Sequence, residues 1–142
     1  MLRKEGCSTA TTKEHACNSP WECRAIEELL MLLFANKSIV TEPLDVGEGK
    51  FNLVDLVSQA QHAPISAGVA EIWPGAPVDF EYDDDCAVCY MIEGEITLTE
   101  GGEKRAFLPG DVVYIPQEKG LVVLWETNSY GKFVYVTYPH WR

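Results

Sequence analysis

Between Val88 and Pro116 the chain alternates short apolar runs with turn residues, and that punctuation limits the fold more than any other feature. The apolar run Val88 to Ile92 stops at Glu93-Gly94. In Glu95, Ile96, Thr97, Leu98 and Thr99, the two aliphatic residues share one face and the threonines take the other. A period of two in β-branched residues is the pattern of a half-buried strand. Gly101-Gly102 offers the positive φ angles of a tight hairpin turn. Leu108-Pro109-Gly110-Asp111 makes a second turn, in which proline sets φ and glycine supplies the bend. Val112 to Ile115 reads as another strand, closed by Pro116 where no ladder donor is needed. The spacing therefore predicts two antiparallel hairpins in succession.

The flanking sequence extends this pattern. Ile65 to Trp73 is a predicted strand ended by Pro74-Gly75, and Phe80 to Tyr82 resumes extended structure. Leu121 to Trp125 and Phe133 to Tyr138 are the last two predicted strands. Phe51 to Gln61 suits either a short helix or a strand, and Lys37 to Gly49 suits a loop or an edge strand. Residues 1–18 are polar and unpatterned, and flexibility is expected there. Ser19-Pro20-Trp21-Glu22 is a helix start with an N-cap, a first-turn proline and a capping-box glutamate. The helix that follows carries Ile26, Leu29, Leu30, Leu33 and Phe34 on one stripe. Such a stripe packs on a core or at a subunit interface. Many short strands behind one helix predict an antiparallel barrel or jelly roll.

The Glu-Gly-Glu turn, the hairpin and the run Pro109-Gly110-Asp111-Val112-Val113-Tyr114-Ile115-Pro116 resemble the double-stranded β-helix of the cupin superfamily. With Ile65 to Gly68, Tyr82-Asp83-Asp84 and the ending Tyr135 to Trp141, the chain is most similar to EutQ-type ethanolamine-utilisation proteins. The resemblance covers residues 51–142 as a cupin domain, with residues 19–50 as a helix and connection before it. It implies an all-β jelly roll, to which the residue pattern adds one N-terminal helix, pairing into a homodimer, and an association with acetate kinase activity. It also implies where a metal would sit. The family's two histidine positions fall near Glu81 and Asp83, its glutamate on Ala87, and its second-motif histidine on Leu121 or Val122. His15, His62 and His140, the only histidines, are all elsewhere, so neither the usual metal site nor any cofactor is expected.

Composition narrows the partners. A net charge of −11 argues against nucleic acid and anionic membranes, and favours cations or amines. No apolar run approaches the roughly 20 residues that span a bilayer, and the N-terminus lacks a signal-peptide core. A cytoplasmic protein is expected. Five cysteines without secretory context read as reduced thiols. Cys86 and Cys89 have the spacing of a redox or zinc pair, but on a strand residues three apart point to opposite faces. Gly47-Glu48-Gly49-Lys50 fails the phosphate-loop pattern, with Leu44 at the earlier glycine position and Phe51 after the lysine.

Alternation carried through from Glu81 and Asp83 to Ala87, Cys89 and Met91 predicts one inward face. Trp73, Tyr114 and Trp125 are expected to add aromatic walls. The candidate ligand set is therefore Glu81, Asp83, Cys89, Met91, Trp73, Tyr114 and Trp125, forming an acidic mouth over an apolar floor suited to a cationic small molecule. The competing readings are a solvated acidic turn over an ordinary core, an enzyme using Glu81 or Asp83 as base, and a microcompartment-associated structural protein docking through its helix.

Overall fold

The computed structural model describes residues 31–46 and 50–142. The chain divides into two compact units at residue 33, and Phe34–Arg142 holds every strand of the described residues. Strands follow in the order β1 (Glu42–Pro43), β2 (Phe51–Val57), β3 (Ser66–Ile72), β4 (Val78–Glu81) and β5 (Cys86–Gly94). After these come β6 (Ile96–Glu100), β7 (Glu103–Phe107), β8 (Val112–Ile115), β9 (Val122–Glu126) and β10 (Gly131–Tyr138). All pair antiparallel, in a six-stranded sheet β1-β2-β3-β10-β5-β8 and a four-stranded sheet β4-β9-β6-β7. The all-β jelly roll expected from the punctuation is the architecture found.

The punctuating residues act as read. Gly101 and Gly102 both have positive φ between β6 and β7. At the second turn Gly110 is left-handed, and the Asp111 carboxylate accepts from Leu108 N at 2.9 Å. Gly94 is where the chain leaves one sheet for the other. Its φ is +80°, and a Cβ there would collide with the Tyr130 carbonyl, so only glycine fits without strain.

The ambiguous Phe51 to Gln61 stretch resolves as strand followed by a single 3-10 turn, Gln59–Gln61, capped by the Ser58 side chain. Burial decides the strand, because alternation puts Phe51 and Leu53 into the core. The Lys37 to Gly49 segment contains a 3-10 turn, Asn36–Ser38, and the two-residue edge strand β1. Residues 31–34 are not helical. The rest of the expected N-terminal helix, the flexible segment before it, and the glycines of the phosphate-loop-like run lie outside the described residues.

Between the sheets lies an aromatic core. Trp125 of β9 stacks on Phe133 of β10 at 4.8 Å between ring centroids, with an interplanar angle of 20°. Phe80 and Phe107 meet the Trp125 ring edge-on, and Phe51 does the same to Phe80 and Phe133. One contiguous cluster thus joins both layers.

Candidate functional site

A cavity of about 330 Å³ opens where β4, β5 and the end of β10 converge. β10 supplies Phe133, Tyr135 and Thr137 from alternate positions, and β5 supplies Ala87 and Cys89 opposite them. Phe51, Phe80 and Trp125 complete the apolar wall. Glu81, Asp83, Asp84 and Asp85 line the rim, with Tyr82 turned inward between them.

Of the sequence-predicted residues, Glu81, Asp83, Cys89 and Trp125 line this cavity, while Trp73, Tyr114 and Met91 do not. Trp73 follows the last residue of β3 and packs on Tyr130, at the end of β10 opposite Thr137. Tyr114 lies on the outer face, 64% exposed, because Val113 and Ile115 occupy the inward positions of β8. Met91 does point inward but is wholly buried in the core.

The face predicted for Glu81 and Asp83 also differs. Both side chains are exposed, and the residue buried between them is Tyr82. Strand parity does not carry across the Asp83–Asp85 bend, because β4 and β5 belong to different sheets. Asp83 has a local task as well. Its Oδ1 accepts from Gly120 N at 2.6 Å, and its carbonyl accepts from Gln117 Nε2 at 3.1 Å. Tyr82 is pinned by its own backbone, donating to the Leu121 carbonyl and accepting from Glu118 N.

Charge and burial set the protonation states. Burial first, then the neighbouring Asp84 charge, pushes the Asp85 carboxyl above the usual carboxylate range. Burial alone pushes the Cys89 thiol up to about 12, so it stays protonated at neutral pH. The Tyr82 phenol is raised chiefly by burial and is neutral too. Cys86 is half-buried, its thiol donating to the Tyr138 carbonyl at 3.4 Å, while Cys89 faces the core. The two thiols diverge as alternation requires.

Sequence reasoning missed the clasp at the cavity's edge. The Tyr135 hydroxyl donates to Asp55 Oδ1 at 2.6 Å, and Trp141 Nε1 donates to the same oxygen at 2.9 Å. Arg142 Nε pairs with Asp55 Oδ2 at 2.6 Å while its guanidinium lies 4.5 Å from the Trp141 ring centre. Burial, then the hydrogen bond to Asp55 and its charge, raise the Tyr135 phenol. A Cβ at Gly68 would collide with this hydroxyl, which makes Gly68 part of the clasp. The partners lie 80 or more positions apart in the chain, and no local pattern announces them.

The positions where cupins carry metal ligands do not fit a metal here. Ala87 stands in the cavity wall, Leu121 is aliphatic, and Glu81 and Asp83 are exposed. Among the described residues no three His, Cys, Asp or Glu side chains are placed so that they could hold a metal ion together. No helix among them is long and apolar enough to cross a membrane.

The comparisons agree with this architecture. A protein from Salmonella typhimurium (strain LT2) named acetate kinase EutQ is 31% identical over 93 residues. That alignment takes 63% of this chain and 38% of the relative, so the chain spans well under half the relative's length. The crystal structure of an ethanolamine utilization protein Q from Salmonella typhimurium LT2 superposes with a TM-score of 0.67 at 26% identity. It covers 75% of this chain and 85% of that one. Ectoine synthase from P. lautus shares the fold, with a TM-score of 0.64 at 21% identity, covering 78% and 79% of the two chains. The family described as EutQ-like cupin domain matches residues 59–135, and the chain belongs to that family.

Proposed function

We propose that this cupin binds an amine-bearing or otherwise cationic, amphipathic small molecule in its barrel, without a bound metal. One observation carries the reading. Four carboxylates, Glu81, Asp83, Asp84 and Asp85, crowd the rim of an aromatic cavity whose lining includes no lysine or arginine. Burial and then the neighbouring Asp84 charge raise the Asp85 carboxyl, and a cation bound at this rim offsets both costs. The aromatic walls suit the apolar body of such a ligand and the face of a cation.

The sign of the pH dependence follows. A bound cation favours ionised carboxylates, so it binds less well as they take up protons. Amine ligands are expected to raise the melting temperature more at pH 7 than near pH 4. Amide replacements at Glu81 or Asp85 should diminish the effect, and Asp111→Asn, in a turn away from the cavity, should not. Stabilisation by anionic ligands alone would overturn the reading. For the metal, elemental analysis of protein purified without added metal is expected to show far less than one equivalent of Fe, Mn, Ni or Zn.

A homodimer is part of the same proposal. Val88, Tyr90 and Ile92 of β5 lie exposed beside Val112 and Tyr114 of the edge strand β8, where Val88 pairs with Tyr114 and Tyr90 with Val112. A contiguous apolar sheet face of this kind favours a self-complementary contact with a second copy. The second functional reading is enzymatic, favoured by relatives that are named acetate kinases. It is tested directly by ATP-dependent formation of acetyl phosphate from acetate.

A further inference from the structure

Three buried polar atoms have no hydrogen-bond partner among the described residues, and all three belong to side chains that line the cavity. They are Trp125 Nε1, Thr137 Oγ1 and His140 Nδ1. Two other buried polar side chains among the described residues find partners. Ser66 Oγ accepts from Trp141 N at 3.2 Å, and the Thr127 hydroxyl donates to the Glu95 carbonyl at 2.7 Å. An unpaired buried polar group costs about 1–3 kcal/mol, so three on one cavity mark a binding surface rather than indifferent core.

Their origins matter. Thr137 comes from β10 in the six-stranded sheet, Trp125 from β9 in the other sheet, and His140 from the segment after β10. Trp125 and Thr137 are only 2% and 7% exposed, so bulk water does not serve them. An indole N–H can only donate, and whatever completes it must be an acceptor. The stacked Phe133 ring offers none, and although the Tyr82 hydroxyl lies near enough for the Trp125 N–H to favour its ionised form, no hydrogen bond of full geometry joins the two. A hydroxyl can donate to that same acceptor, and His140 can do so through its Nδ1 tautomer. The acceptor should be uncharged. A carboxylate would bring a buried negative charge next to four acidic side chains, with no lysine or arginine in the lining to pair it.

We propose that the ligand of this cavity carries a neutral carbonyl, as in an amide, which accepts from Trp125 Nε1 and Thr137 Oγ1 while its cationic end stays at the acidic rim. The placement of the cationic end rests on the function proposed above; the carbonyl does not.

Four compounds of similar shape separate the two halves. They are phenylalaninamide (amine and amide), 3-phenylpropanamide (amide only), phenethylamine (amine only) and 3-phenylpropanoate (carboxylate only). Binding is followed by the indole N–H resonances in two-dimensional NMR, with Trp125 assigned among the four tryptophans through Trp125→Phe. Both amides are expected to move the Trp125 indole signal, with phenylalaninamide binding tighter. Phenethylamine is expected to leave that signal in place, and 3-phenylpropanoate to bind more weakly than its amide. Thr137→Val should weaken both amides by about 3- to 10-fold, the loss of one hydrogen bond, and change phenethylamine by less than about twofold. Thr137→Ser should restore the amides.

The ligand-free protein gives a second readout. Removing an unpartnered hydroxyl should leave the melting temperature of Thr137→Val unchanged or raised. A clear fall would mean that the hydroxyl is satisfied within the protein, and would overturn the proposal. So would amides that bind no better than phenethylamine or leave the Trp125 signal unmoved. If the amides respond to Thr137 while amines gain nothing from the rim, the carbonyl stands and the cationic reading fails.

Discussion

Asp85 shows at the scale of one residue how position converts an ordinary carboxylate into a pH-dependent liability. Its folded-state pKa is raised, so the stability it permits is complete below the usual carboxylate range and is lost as pH rises through the raised value. Asp85→Asn is therefore expected to raise the melting temperature at pH 7, on the order of 1–2 °C for a half-buried group, with the gain fading near pH 3. Thermal scans at both pH values check this, and an equal gain at both would remove the electrostatic explanation. Cys89 offers a chemical counterpart. With its thiol held at about 12 by burial, it should resist iodoacetamide at pH 8 in the native protein. Half-buried Cys86 is expected to label first, and peptide mapping by mass spectrometry distinguishes the two.

Among the elements, β10 carries the greatest responsibility, lying between β3 and β5 and presenting Phe133, Tyr135 and Thr137 to the interior. Phe133 is its structural anchor, stacked on Trp125 across the sheets and edge-on to Phe51 and Phe107. Phe133→Ala should cost about 3–5 kcal/mol in urea unfolding, a cavity penalty on top of lost transfer energy. Tyr135 ties the same strand to β2 through Asp55. Asp55→Asn keeps the shape but removes the ion pair with Arg142 and weakens the two charge-assisted hydrogen bonds from Tyr135 and Trp141 at the cavity edge. A loss of about 1–3 kcal/mol is expected, with the Trp141 indole resonance shifted.

For the whole molecule, assembly is the property most open to test. Light scattering at micromolar concentration should give twice the chain's 15.9 kDa. Tyr114→Glu, which sets a charge in the middle of the exposed apolar face of β5 and β8, should return the monomer mass with the barrel still folded. A monomer from the unsubstituted chain would end the dimer proposal.

Most strands and their turns were legible in the sequence because each is a local consequence of residue type, and the jelly roll was legible through the resemblance of those motifs to cupins. Gly94, Gly101-Gly102 and Pro109-Gly110 dictate bends within a few residues of themselves, and alternation assigns faces within one strand. Local signals also sufficed to send Cys86 and Cys89 to opposite faces and to place Trp125 and Cys89 on the cavity wall. Only the tertiary structure could decide how one strand's parity relates to the next. The bend at Asp83–Asp85 moves the chain between sheets, so Tyr82 took the inward place expected for its acidic neighbours. Trp73 and Tyr114 left the predicted site for the same kind of reason, one by lying at the far end of a strand and one by facing outward. The clasp from Asp55 to Tyr135, Trp141 and Arg142, and the convergence of Trp125, Thr137 and His140 on one cavity, join residues remote in the chain. Such contacts depend on which strands become neighbours, and sheet order is a property of the folded chain as a whole.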